Sequence, residues 1–160
     1  MLTPSPLKVV RVQARIVVDG VIDSALGLAA LGLLVLVHGN AYGAILAFGL
    51  GAAGFFVFTV VFGLVALRLV GRWFEPLPPE AVVRPALPET TWAGFRLLTS
   101  AVLLVSVVGD LPVVIGYGPG SSLGGLVIAV AYRRIERTTG PLYMEPGDTL
   151  RQRPLYYRPS

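Results

Sequence analysis

The chain has 160 residues, no cysteine and a single histidine, which excludes disulfides, thiolate metal sites and cysteine nucleophiles. It is 54% hydrophobic and 14% charged, against roughly 25% charged in soluble domains, and its mean hydropathy is +0.74. That balance excludes an ordinary soluble domain, and the net charge of +4 carries no nucleic-acid signature, because the basic residues fall at the ends of apolar runs.

Residues 1–15, MLTPSPLKVVRVQAR, form a basic N-terminal flank. Pro4 and Pro6 discourage helix. Lys8, Arg11 and Arg15 are spaced by three and four, so they either line one face of a short surface helix or simply flank the first span. Residues 16–37 are the first predicted transmembrane helix, interrupted early by Asp19 and Asp23. A signal peptide with Gly39 and Ala41 at its cleavage site competes, but the long second span and the flank chemistry favour a retained helix. His38 to Tyr42, HGNAY, reads as a tight turn between antiparallel helices.

Residues 43–70 carry one charge, Arg68, near the end of 28 residues. A bilayer core needs ~20 apolar residues of helix, and this stretch is the second span. Ala47, Gly51 and Gly54 recur at four and three, predicting a helix-packing seam. Residues 71–91 hold five prolines and form the one long polar loop, with Arg72 and Trp73 at headgroup level. The third span, 95–115, begins beside Trp92 and Arg96 and is interrupted at Gly109, Asp110 and Pro112. Tyr117 to Ser122, YGPGSS, reads as a turn, leaving a short fourth span at 120–134, or one half of a helix pair broken between Asp110 and Pro119. Residues 138–160 form a Pro/Arg/Tyr-rich tail in which Pro141-Leu142-Tyr143 is echoed by Pro154-Leu155-Tyr156. Disordered tails are poor in aromatics, so Tyr143, Arg151, Arg153, Tyr156, Tyr157 and Arg158 are expected to dock on a partner.

All thirteen Lys and Arg lie on one side of a four-span arrangement, and the two opposite turns contain none. The positive-inside rule makes that side cytoplasmic, with both termini there. Anionic lipid headgroups are the expected neighbours of that face.

Asp19 and Asp23 share a helix face. An Asp at the centre of a spanning helix costs ~2.5–3.5 kcal/mol, so it is either paired or used. Arg15, Arg68 and Arg96 are the candidate partners, and Asp19, Asp23, Asp110, Arg68 and Arg96 form the candidate ion pathway. One histidine leaves no credible metal ligand set, and no cofactor is expected. Nucleophile elbow, P-loop and dinucleotide fingerprints are missing from the sequence, so no catalytic residue is assigned.

Arg11 to Asp23, RVQARIVVDGVID, resembles the Arg-then-Asp opening of RDD-family membrane proteins. The family's central glycine-containing segment is not matched, and Ile135-Glu136-Arg137 departs from its late Asp-Arg motif, so no function follows from the resemblance.

The expected fold is all-α: four transmembrane helices as two hairpins, with an extended C-terminal tail. The expected function is an accessory or assembly subunit of a larger complex in the cell (inner) membrane, with other membrane-protein subunits as partners. A small transporter or channel subunit using Asp23 and Asp110 is the alternative, and an intramembrane enzyme ranks third.

Overall fold

The computed structural model describes residues 7–70, 74–86, 93–145 and 155–158, the side chains of 69–70 and 93–97 excepted. The chain is mostly helical. Strand β1 (Lys8–Arg11) runs directly into helix α1 (Val12–His38). Helix α2 is Ala41–Val70, strands β2 and β3 are Phe74–Pro76 and Val82–Arg84, and α3 is Ala93–Val108. Helices α4 (Pro112–Ile115) and α5 (Tyr117–Thr139) follow, then strands β4 (Leu142–Met144) and β5 (Leu155–Tyr157).

Three helical stretches are long and apolar enough to cross a membrane: Val12–His38, Ala41–Arg68 and Pro112–Thr139. Their outward faces are rich in leucine, valine and phenylalanine, such as Leu36, Leu50, Phe58, Phe62 and Val130. In water that surface would aggregate; in hydrocarbon it is the solvated one.

The α1–α2 connection is short for a local reason. Gly39 takes the left-handed conformation at φ 73° and closes α1 through its N–H to the Val35 carbonyl. The Asn40 side chain then accepts from the Gly43 N–H at 3.0 Å, capping α2. The two helices meet near this hairpin, where Leu34, Ala44, Leu103, Val107 and Ile115 form a buried cluster.

Farther along, α5 lies between α1 and α2. Residues Gly51, Ala52, Thr59 and Gly63 of α2 meet Val113, Gly116/Gly120, Gly124 and Ile128 in the same order, so α2 and α5 run parallel. Gly20 and Gly27 of α1 meet Ser122 and Pro119, so α1 and α5 run antiparallel. The YGPGSS segment is therefore not a turn. It opens α5, with Pro119 in the first helical turn, where the missing N–H would have had no partner. The break lies earlier. Asp110 takes φ 52° between α3 and α4, and Leu111 N–H reaches back to the Ser106 carbonyl. With 16 residues, α3 is about 24 Å long.

The expectation of an all-α chain needs correction. A five-stranded sheet, in the order β2-β5-β4-β1-β3, closes the end of the bundle where α1 starts and α5 finishes. β1 pairs parallel with β3 and antiparallel with β4; β5 pairs antiparallel with β4 and parallel with β2. Lys8 and Arg11 thus stand on a strand, not on a surface helix, and Arg15 belongs to α1. Leu142, Leu155 and Val12 pack toward the helices, while Tyr143, Tyr156 and Val9 form a second cluster. The Leu-Tyr echo of the tail is this arrangement: each leucine serves one cluster and each tyrosine the other.

Candidate functional site

The polar side chains of the helices gather on α1 and α5, in the half of the bundle nearer the sheet. Arg15, Asp19 and Asp23 follow at spacings of four, so they stack along one face of α1. Arg15 donates through Nε to Asp19 at 3.4 Å. Its side chain is only 6% exposed, and Nη1 has no hydrogen-bond partner. An orphaned buried donor of this kind costs ~1–3 kcal/mol.

One turn farther, Gly118 packs against the Asp23 backbone so closely that a Cβ there would overlap its carbonyl oxygen. This contact draws α5 against α1 and brings Tyr117 within electrostatic reach of the Asp23 carboxylate, while Ser121 Oγ donates to the Gly118 carbonyl at 3.0 Å. Ser122 Oγ lies 2.7 Å from the carbonyls of both Gly20 and Gly118, and its single proton serves one at a time. Both aspartates have interaction partners.

The five candidate pathway residues are not brought together. Arg68 sits at the last turn of α2, level with Arg133 by the Gly63–Ile128 register, whereas Asp23 is level with Gly118. Fifteen residues of α5 separate those levels, roughly 22 Å at 1.5 Å per residue. Asp110 is exposed at the opposite end, and the Leu34–Ala44–Leu103–Val107–Ile115 cluster fills the bundle before it. Arg96 lies outside the residues whose side chains are described, as do Arg72, Trp73, Trp92, Arg151 and Arg153.

The packing seam of α2 lies elsewhere than the Ala47–Gly51–Gly54 stripe. Gly51 is buried against Val113, but Gly54 has open space where a Cβ would stand, and Ala47 is half-buried. The contacts run through Phe48, Gly51, Ala52, Phe55, Thr59 and Gly63, a stripe turned roughly 100° around the helix. Phe55 meets Tyr117 edge to face, with ring centroids 5.2 Å apart.

In the tail, Tyr143 and Tyr156 pair across β4 and β5, and the Tyr156 hydroxyl lies 3.1 Å from a Glu145 carboxylate oxygen. Tyr157 faces the helices, and Arg158 is exposed beyond it. These side chains dock on the chain's own sheet.

Sequence reasoning missed Glu136. Its side chain is 8% exposed and joins three elements: it accepts from Arg11 at 3.2 Å, from Gln13, and from the Leu142 backbone N–H at 3.0 Å. The available signal was a lone carboxylate among Arg133, Arg134 and Arg137. His38 was also missed as a structural group. Its Nε2 donates to the Val107 carbonyl at 2.8 Å, closing α3.

Among the described residues, no group of three or more His, Asp or Glu could hold a metal ion. Comparison with protein-family models, with curated proteins and with solved structures returned no match.

Proposed function

We propose that the chain is a small integral membrane protein that serves as an accessory or assembly subunit of a larger complex. It crosses the bilayer four times, with both termini and the basic loop in the cytoplasm. Two features support the four crossings. Strands β1, β3 and β4 share one sheet, so the chain leaves and returns to the same end. Between β3 and β4 it travels out through α3, whose Val107 meets His38 at the far end, and back through α4 and α5. Every basic residue of the described segments then falls on the sheet side, as the positive-inside rule requires.

The observation that carries the subunit reading is the interrupted polar face. Arg15, Asp19, Asp23, Tyr117, Ser121 and Ser122 stop at the buried apolar cluster, so among the described residues no continuous polar route joins them to Asp110. A conducting path needs polar or charged groups lining its whole length. In addition, Gly32, Gly49 and Gly54 stand on outward helix faces with open space around them, which suits close approach by a helix of another subunit.

The test is extraction of the tagged chain from its native membrane in mild detergent. A partner of fixed stoichiometry is expected, and it should be released by Gly49→Leu or Gly54→Leu, which the fold itself accommodates. Proton or ion flux through the purified chain in liposomes, stopped by Asp23→Asn, would overturn the reading in favour of transport.

A further inference from the structure

The outward face of α5 changes chemistry abruptly. Leu123, Leu126, Val127 and Val130 are exposed, and the next positions on that face are Arg133, Arg134 and Arg137, also exposed. Helix α2 does the same: Phe58, Val61, Phe62 and Val65 lead to exposed Arg68. The two helices are parallel neighbours, and the Gly63–Ile128 contact brings Arg68 level with Arg133. Both apolar faces therefore end in guanidinium groups at one height, but at roughly 100° per residue Arg68 turns away from α5, while Arg133, Arg134 and Arg137 share the exposed face of α5. Exposed Arg11, on the strand that enters α1, reaches the same end of α5 through Glu136. Arg133 is steadied by Gln13, its Nε donating at 3.3 Å. Among the described residues the ion pairs are Arg11–Glu136 and Arg15–Asp19, and neither occupies Arg68, Arg134 or Arg137.

We infer that the end of α5, through Arg133, Arg134 and Arg137, is a binding site for the phosphate headgroup of an anionic phospholipid in the adjoining leaflet. This rests on the membrane-embedded reading above and gives it a specific lipid partner. The chemistry is complementary on both sides of the boundary. Acyl chains lie against the leucine and valine face of α5, and planar guanidinium forks take the phosphate oxygens in pairs. The α5 cations also sit in the last turns of their helix, where its dipole holds them favourably. A free phosphate ion would use the guanidinium groups alone and leave the apolar faces below them without a role.

The full chain is reconstituted in nanodiscs of phosphatidylcholine mixed with phosphatidylglycerol, and the lipid retained after detergent extraction is quantified. Wild type is expected to retain phosphatidylglycerol in excess, less so as salt rises. Each arginine changed to glutamine among Arg133, Arg134 and Arg137 should reduce that preference roughly two- to fivefold, and R133K/R134K/R137K should keep most of it. Equal retention of both lipids by wild type at low salt overturns the site. So does a preference untouched by the glutamine variants, or one that inorganic phosphate abolishes at constant ionic strength. If the glutamine variants fail to fold, the salt dependence of wild type and the lysine variant decide. Failure of the wild-type chain to float with the bilayer would instead refute the embedded reading itself.

Discussion

Helices α3 and α5 are near neighbours in sequence but are held in opposite ways. α3 is rich in leucine and valine and touches only the edge of the bundle, against α1 and α4, while Leu98, Leu104, Val105 and Val108 point outward. α5 ends in a run of charged residues and starts with glycines and serines, yet it is the helix that α1 and α2 close around. In the most apolar part of the Pro112–Thr139 stretch, which joins α4 to α5, 39% of residues are buried, against 17% for α1 and 11% for α2. In lipid, apolar side chains gain nothing by leaving one hydrocarbon phase for another. Small residues do gain, because backbones then approach closely and dispersion contacts multiply. Glycine, not hydrophobicity, selects the central helix.

The comparison breaks most sharply at Gly120. A Cβ there would overlap the Ala52 carbonyl oxygen, so Gly120→Leu must push α5 off α2. A loss of about 3 kcal/mol or more is expected, read as reversible unfolding in detergent. A loss below ~1 kcal/mol would mean that the α2–α5 seam does not organise the bundle.

Next comes Glu136, which ties the lower end of α5 to β1 and β4. Glu136→Ala leaves Gln13 and the Leu142 N–H without their acceptor. Its expected cost is about 2–3 kcal/mol, with faster amide exchange at Leu142. Glutamine, which keeps one acceptor oxygen, should cost less.

His38→Ala sharpens the contrast from the α3 side. It removes the donor to Val107 and should cost about 1 kcal/mol, with exchange accelerated in the last turn of α3 and unchanged in α5. The smallest effect belongs to Leu104→Ala on the outward face of α3. It should stay within ~0.5 kcal/mol for the isolated chain, and a larger loss would show that α3 is packed after all.

Much of the helical frame was legible. Gly39 and Asn40 announced a turn because left-handed backbone and side-chain capping are local properties. Gly109, Asp110 and Pro112 likewise marked the break before α4. The sheet was not legible. Its strands are three or four residues long, and each pairs across a distance in sequence that a local pattern cannot report: Val10 with Met144, and Phe74 with Leu155. Its prolines read as breakers, although Pro76 is tolerated because β2 is an edge strand. The internal α2 seam, which keeps Gly51 but leaves Gly54 outward, was not legible because spacing fixes which residues share a face but not which face meets a neighbour. YGPGSS was misread because glycine and proline signal a turn in water and a close helix start in a packed bundle.

The strand order has a bearing on how the protein is made. Of the five strands, β1 is made before the others and can pair with β3 once residue 84 has been synthesised. Among the described residues β2 pairs with β5 alone, so Phe74 to Pro76 wait with open backbone groups until Tyr157 appears. The last strand made is the one that seals an edge begun some eighty residues earlier. A nascent chain stalled before that point would present its unsealed edge to chaperones and proteases, and the finished one would not.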